Sequence, residues 1–281
     1  NRKTVTMIAL GFSAGLPFAL LTGTINAWFS AAKVDLATIG VLSWIGLAYA
    51  FKFLWSPGVN LMPPFPFAQL GRRRGWILLC QCVIAACIFV IATQDPETGL
   101  GVMALAAAVG AFASATQDIA VDAWRIEAAA DADELGLFTS VFQLGYRAAL
   151  LVTDALILVF AEYFGWPISY VLMAVFMGIG VFAALRTPEP SRADAVMEEK
   201  AGAAPLWTPR GFVDAVIGPF VAFFKTHGAL ALLMLLMISV YRLPEFLIGP
   251  VAGPFYSDLG LEKDVVGGVR GTVGLLASIL G

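Results

Sequence analysis

The sequence predicts an all-α polytopic membrane protein, on three observations. Of its 281 residues 59% are hydrophobic and 13% charged, about half the charged fraction of a soluble domain. Its apolar runs exceed the roughly 20 residues a helix needs to cross a bilayer, and they are too long and continuous for barrel strands. Lys and Arg concentrate in alternate loops, the mark of cytoplasmic helix ends. Cys80, Cys82 and Cys87 share one apolar run and His227 is the single histidine, so they form no metal or disulfide framework.

Helix 1, about Val5 to Ser30, follows Arg2 and Lys3 and is too long for a signal peptide. Its Gly11-Phe12-Ser13-Ala14-Gly15 fits both a nucleophile elbow and a small-xxx-small packing motif. A serine protease needs a histidine at the same depth, and His227 lies in a polar stretch, so packing is the expectation. Helix 2, about Ala37 to Pro57, carries Lys52, which either snorkels to the interface or faces a cavity. A Pro-rich loop and the triplet Arg72-Arg73-Arg74 follow, placing that loop in the cytoplasm. Helix 3, about Gly75 to Thr93, ends in Gln94-Asp95-Pro96-Glu97-Thr98, which has no Lys or Arg and is assigned outside.

Helix 4 begins near Gly101 and ends in Thr116-Gln117-Asp118-Ile119-Ala120-Val121-Asp122-Ala123-Trp124-Arg125. Asp118, Asp122 and Arg125 recur at i, i+4 and i+7 and share one face. Asp118 lies about 10 Å deeper than Arg125. Ionisable groups at such depth face a bundle interior or a wet cavity, so the stretch is a functional-site candidate. Helix 5, about Glu134 to Phe164, holds Tyr146, Arg147 and Asp154, with Arg147 near the bilayer midplane. Helix 6, about Pro167 to Arg186, precedes a polar stretch from Thr187 to Arg210.

Thr208 before Pro209 predicts a helix start, giving an amphipathic helix from Gly211 to Lys225. Helix 7, about Ala229 to Tyr256, contains Arg242 and Glu245 around Pro244, and an eighth helix opens at Gly267. The domains are therefore a six-helix bundle (1–186), a cytoplasmic linker with the amphipathic helix (187–228) and an incomplete second bundle (229–281). The chain stops inside an apolar run and is expected to be a fragment of a longer protein. The charge bias puts the amino terminus in the cytoplasm.

Six helices, a long linker and a restart resemble the layout of major facilitator transporters. The stretches Leu10 to Pro17, Phe51 to Pro57, Gly71 to Trp76, Ala115 to Trp124 and Leu144 to Arg147 resemble the AmpG muropeptide permeases, and the Gln-Asp-Ile-Ala-Val-Asp element also resembles the acetyl-coenzyme A transporters. The resemblance implies a major facilitator fold and a proton-driven importer of anhydromuramyl peptides in the bacterial inner membrane, multi-pass and monomeric. It implies an indirect link to β-lactamase induction, no cofactor beyond the proton gradient, and no nucleic-acid partner. In that setting Asp118 is expected to couple protons, caught between desolvation, which favours proton uptake, and a cation such as Lys52 or Arg147, which opposes it. Asp122 and Arg125 are expected to form a gate. Lys52, Gln117, Tyr146, Arg147, Arg242 and Glu245 are the expected substrate contacts, the arginines for carboxylates and Tyr146 for a sugar face.

One departure from the family pattern stands out. Major facilitators carry an Asp in the loop after helix 2, where this chain has Gly58-Val59-Asn60-Leu61. An uncharged Asn predicts altered gating or a copy that does not transport. Rival classes are an anionic-metabolite transporter, a non-transporting receptor on the same scaffold, and an intramembrane enzyme. No HExxH occurs and the GxSxG lacks its histidine, so no enzyme is expected.

Overall fold

A computed structural model describes residues 2–190, 208–241 and 243. The chain divides into two compact units, Asn1–Ala203 and Ala204–Gly281, each taken by itself below. Among the described residues there are helices and no strands.

The first unit holds α1 (Lys3–Ala31), α2 (Ala37–Leu54), α3 (Arg72–Ala92), α4 (Pro96–Ala128), α5 (Ala132–Leu151, continued through Val152–Leu156 and Ile157–Phe164) and α6 (Trp166–Arg186). All of these but α5 are long and apolar enough to cross a membrane. In the second unit, α7 (Pro209–His227) and α8 (Leu230–Tyr241) meet at a 112° bend and together qualify as one broken or re-entrant span. Thr208 caps α7 as expected, its hydroxyl accepting from the Gly211 N–H at 3.1 Å.

Several boundaries move. α4 starts at Pro96 instead of Gly101, because Asp95 accepts from the Glu97 N–H and Pro96 occupies the first turn. The ionisable motif, Thr116 to Arg125, lies in the C-terminal part of a 33-residue helix that ends at Ala128, with Arg125 in its last turn. α3 begins at Arg72, so the basic triplet is its first turn. α2 is not one regular helix: tighter 3₁₀ turns interrupt it at Ser43–Gly46 and Lys52–Leu54, and a short helix, Ser56–Leu61, follows. None of its apolar stretch is buried in the unit, against two thirds of that of α1.

The closest packing joins α1 to α5, and α3 packs on both α4 and α6. Glycines make the first contact possible. A Cβ on Gly11 would collide with the Phe142 carbonyl, and one on Gly145 with the Ile8 carbonyl. Gly11-Phe12-Ser13-Ala14-Gly15 is thus a packing motif, since small residues let helix backbones approach. Both helices carry a wider π turn, Leu20–Thr24 in α1 and Val152–Leu156 in α5. The Thr24 hydroxyl donates to the Thr153 carbonyl at 3.1 Å, and the Tyr170 hydroxyl of α6 to the Leu20 carbonyl at 3.1 Å, so carbonyls of the irregular turns gain side-chain donors.

Two apolar clusters fill the unit, one around Leu16, Leu20, Trp28, Ile84, Met103 and Tyr170, the other around Met7, Leu10, Ile77, Trp124 and Phe138. Where they meet along the helices lies a buried polar layer. Gln81 Nε2 donates to Ser13 Oγ at 3.0 Å and Gln117 Nε2 to the Ser13 carbonyl at 3.3 Å.

Candidate functional site

Asp118 projects from α4 toward α2, and Lys52 answers it. Lys52 Nζ lies 3.5 Å from Asp118 Oδ2, with the lysine side chain 33% and the aspartate 22% exposed. The pair is partly enclosed, so its attraction is less screened than at a surface. Lys52 is held by its neighbours on the same side of α2. Trp55 Nε1 donates to Thr116 Oγ1 at 3.1 Å, and the Trp55 ring lies 4.6 Å from that of Phe112. One turn earlier, Tyr49 packs edge-on against Phe18 of α1 at 5.0 Å. Lys52–Asp118, Trp55–Thr116 and Trp55–Phe112 thus link the end of α2 to α4, while Ile39, Leu42 and Ile45 of α2 pack on the apolar core.

Tyr146 of α5 completes this side, with its ring 6.4 Å from Phe18 and 6.3 Å from Phe142, within electrostatic reach of Asp118. Of the two cations expected near Asp118, Lys52 is the one paired with it, and Arg147 stands on an exposed face of α5. Gln117 is fully buried, its amide bound to α1, which places it in the packed layer and not on open space. The physical reason is register: Gln117 precedes Asp118 by one residue, about 100° around the helix. Asp122 and Arg125 do pair, at 2.8 Å, and Arg125 lies over the Phe142 ring at 5.2 Å. Arg242 and Glu245 lie outside the described residues. Asp154 falls in the π turn of α5, and its side chain is also outside what is described.

A second polar centre occupies the arginine-rich end of the same unit. Arg73, 2% exposed, forms a two-pronged bond with Glu127, at 2.9 Å through Nε and 2.5 Å through Nη2, and gives Nη1 to Asn60 Oδ1 at 2.6 Å. Glu189, beyond α6, accepts from the backbone N–H groups of Arg73 and Arg74 at 2.8 and 3.0 Å. It caps the start of α3, where Gly71, at φ 100°, offers no side chain. Trp124 Nε1 holds the same segment through the Pro188 carbonyl at 2.8 Å. The Asn60 position thus keeps its hydrogen bond, and the negative charge beside Arg73 comes from Glu127. Sequence reasoning missed Arg73, Glu127 and Glu189, because three adjacent arginines look alike and nothing in their spacing says which of them meets a distant carboxylate.

Comparison with known proteins decides the family. A family model described as acetyl-coenzyme A transporter 1 matches residues 4–141. The anhydromuropeptide permease of Escherichia coli K12 is 38% identical over 99% of this chain, which covers 54% of that protein. A putative transporter AmpG 4 of Rickettsia felis is 30% identical over 97% of the chain and 64% of its own length. The chain belongs to the AmpG family. It spans roughly half to two thirds of the length of these AmpG relatives. The relatives are named as permeases and transporters, and with the apolar helices they make this AmpG-family chain a multi-pass membrane protein. The stretches that carried the resemblance fall on α1, α2, the start of α3, α4 and α5, where they supply the Gly11 contact, Lys52, Arg73, Asp118 and the Gly145 contact in turn.

Proposed function

We propose that the protein is part of a proton-coupled secondary transporter that imports anhydromuramyl peptides from periplasm to cytoplasm across the bacterial inner membrane, for cell-wall recycling with an indirect link to β-lactamase induction. The observation that carries the reading is the Lys52–Asp118 pair, set in a chain 38% identical to a permease of that substrate class. A proton taken up by Asp118 removes its negative charge, which breaks the ion pair and leaves the Lys52 cation free of it. Loss of that proton restores the attraction that draws α2 onto α4. Protonation is thereby tied to the position of a helix, as coupled transport requires. Asp122 and Arg125 act as a gate pair, and Tyr146 and Arg147 as contacts for the sugar and carboxylates of the substrate. The amino terminus and the Arg72–Arg74 end are cytoplasmic, and the working unit is a monomer.

The test is uptake of labelled anhydromuropeptide into vesicles carrying the protein. Accumulation that appears with an inward proton gradient and collapses without it supports the reading; accumulation indifferent to the gradient overturns proton coupling. A second reading, transport of an acetyl-coenzyme A-like anion, is favoured by the family match over residues 4–141. Competition of the label by acetyl-coenzyme A in the same vesicles separates the two.

A further inference from the structure

The end of the first unit away from Arg72–Arg74 carries a cleft of about 540 Å³, within the range of small-molecule sites. Glu97 stands at the opposite end of α4 from Asp118, about 30 Å away at the helical rise, and neither Lys52 nor Asp118 lines the cleft. One wall is aromatic. Trp28, in the last turn of α1, and Trp166, the first residue of α6, stack in parallel with centroids 5.9 Å apart and planes 7° apart. Trp28 is buried and packs further on Tyr170 at 5.0 Å, so Trp166 is the partly exposed ring of the pair, with Pro167 beside it. Gly165, at φ 83°, makes the sharp entry that sets Trp166 there.

The other wall is the α3–α4 loop, which brings Gln94, Asp95 and Glu97 to the cleft. Asp95 and Glu97 are exposed, and Asp95 already accepts from the Glu97 N–H at 2.9 Å. No Lys or Arg lines the cleft. Phosphates and carboxylates find no cation here, and a purely apolar chain would leave the acids and the amide without partners. A neutral ring with one apolar face and several hydroxyls satisfies both walls: its C–H face lies on indole, and its hydroxyls donate to carboxylate and amide oxygens.

We propose that this cleft is a saccharide site, distinct from the Asp118 site, that takes one neutral pyranose ring on Trp166 with its hydroxyls toward Gln94 and Glu97. In the muropeptide reading it holds the sugar of the substrate before transport, and that role alone rests on the reading. Saturation-transfer NMR on the purified protein in detergent, with N-acetylglucosamine as probe, tests the site without any transport step. The parent is expected to transfer saturation to the ring protons, and Trp166→Ala to weaken binding about tenfold, the scale of losing a stacked aromatic contact. Trp166→Phe and Asp118→Asn are expected to keep the signal, the first showing that the fold survives substitution there and the second that the sites are separate. No transfer in the parent, equal transfer in Trp166→Ala, or a signal that follows Asp118→Asn would overturn the proposal. So would displacement of the sugar by a simple amine such as choline at lower concentration, which would make the cleft a cation site. Loss of gradient-driven uptake with sugar binding intact would instead count against the transport reading alone.

Discussion

Gly11 of α1 and Phe142 of α5 face each other with no room between them, since a side chain on Gly11 would occupy the place of the Phe142 carbonyl. Gly145 repeats the relationship against Ile8 from the other helix. Backbone cannot be moved aside as the end of a flexible side chain can, so an added methyl must separate the helices. Gly11→Ala is expected to lower stability by about 1–3 kcal/mol. Gly136, in α5 with nothing within 4 Å of its would-be Cβ, provides the contrast: Gly136→Ala should be neutral or stabilising by up to about 1 kcal/mol from helix propensity. Thermal unfolding in detergent compares the two, and equal losses would refute the glycine contact.

Removing one partner of the Arg73–Glu127 pair leaves a buried charge alone. Arg73→Met and Glu127→Gln are each expected to cost about 3–5 kcal/mol, with the double variant well short of their sum. Asn60→Asp should be far milder, because the position already accepts a bond from Arg73. Additive losses in the double-mutant cycle would mean that the two residues act independently.

Asp118→Asn should abolish gradient-driven accumulation and leave substrate exchange measurable, since the amide keeps the shape of the protonated acid and has no proton to release. Asp122→Asn is expected to slow uptake without uncoupling it. Counterflow and gradient-driven uptake measured on the same vesicles separate the two effects. An Asp118→Asn variant that concentrates muropeptide as well as the parent does would move coupling to another carboxylate.

Asp35 lies between α1 and α2, where its carboxylate accepts from the Thr38 hydroxyl at 2.5 Å and the Thr38 N–H at 2.9 Å. The hydroxyl bond first, and the backbone bond next, hold its pKa below the ordinary carboxylate value. A group lowered on folding adds stability above its unfolded pKa and loses it as pH falls through the folded one. Thr38→Val is therefore expected to raise the Asp35 pKa and to start fraying of the first turn of α2 at a less acid pH. An NMR titration of the Asp35 carboxyl reads this directly, and identical curves for parent and variant would exclude the effect.

Helix existence was legible in the apolar runs because hydrocarbon admits only backbone that satisfies its own hydrogen bonds, and about 20 apolar residues announce such a segment without reference to neighbours. Asp118 was legible for the same reason, as a charge is conspicuous where charges are costly. The glycine pattern in α1 was legible as packing. Partners were not. That Lys52 and not Arg147 meets Asp118 depends on which face of α2 lies on α4, and a helix broken by 3₁₀ turns does not carry its phase through the sequence. Likewise Arg73 of the three adjacent arginines bonds Glu127 and Asn60, 54 and 13 residues away, while Arg74 bonds the Ala184 carbonyl of α6. Periodicity sets which residues share a face; only tertiary packing sets what that face meets, because rotating a whole helix costs nothing within its own hydrogen bonds and everything in its contacts with the rest of the bundle.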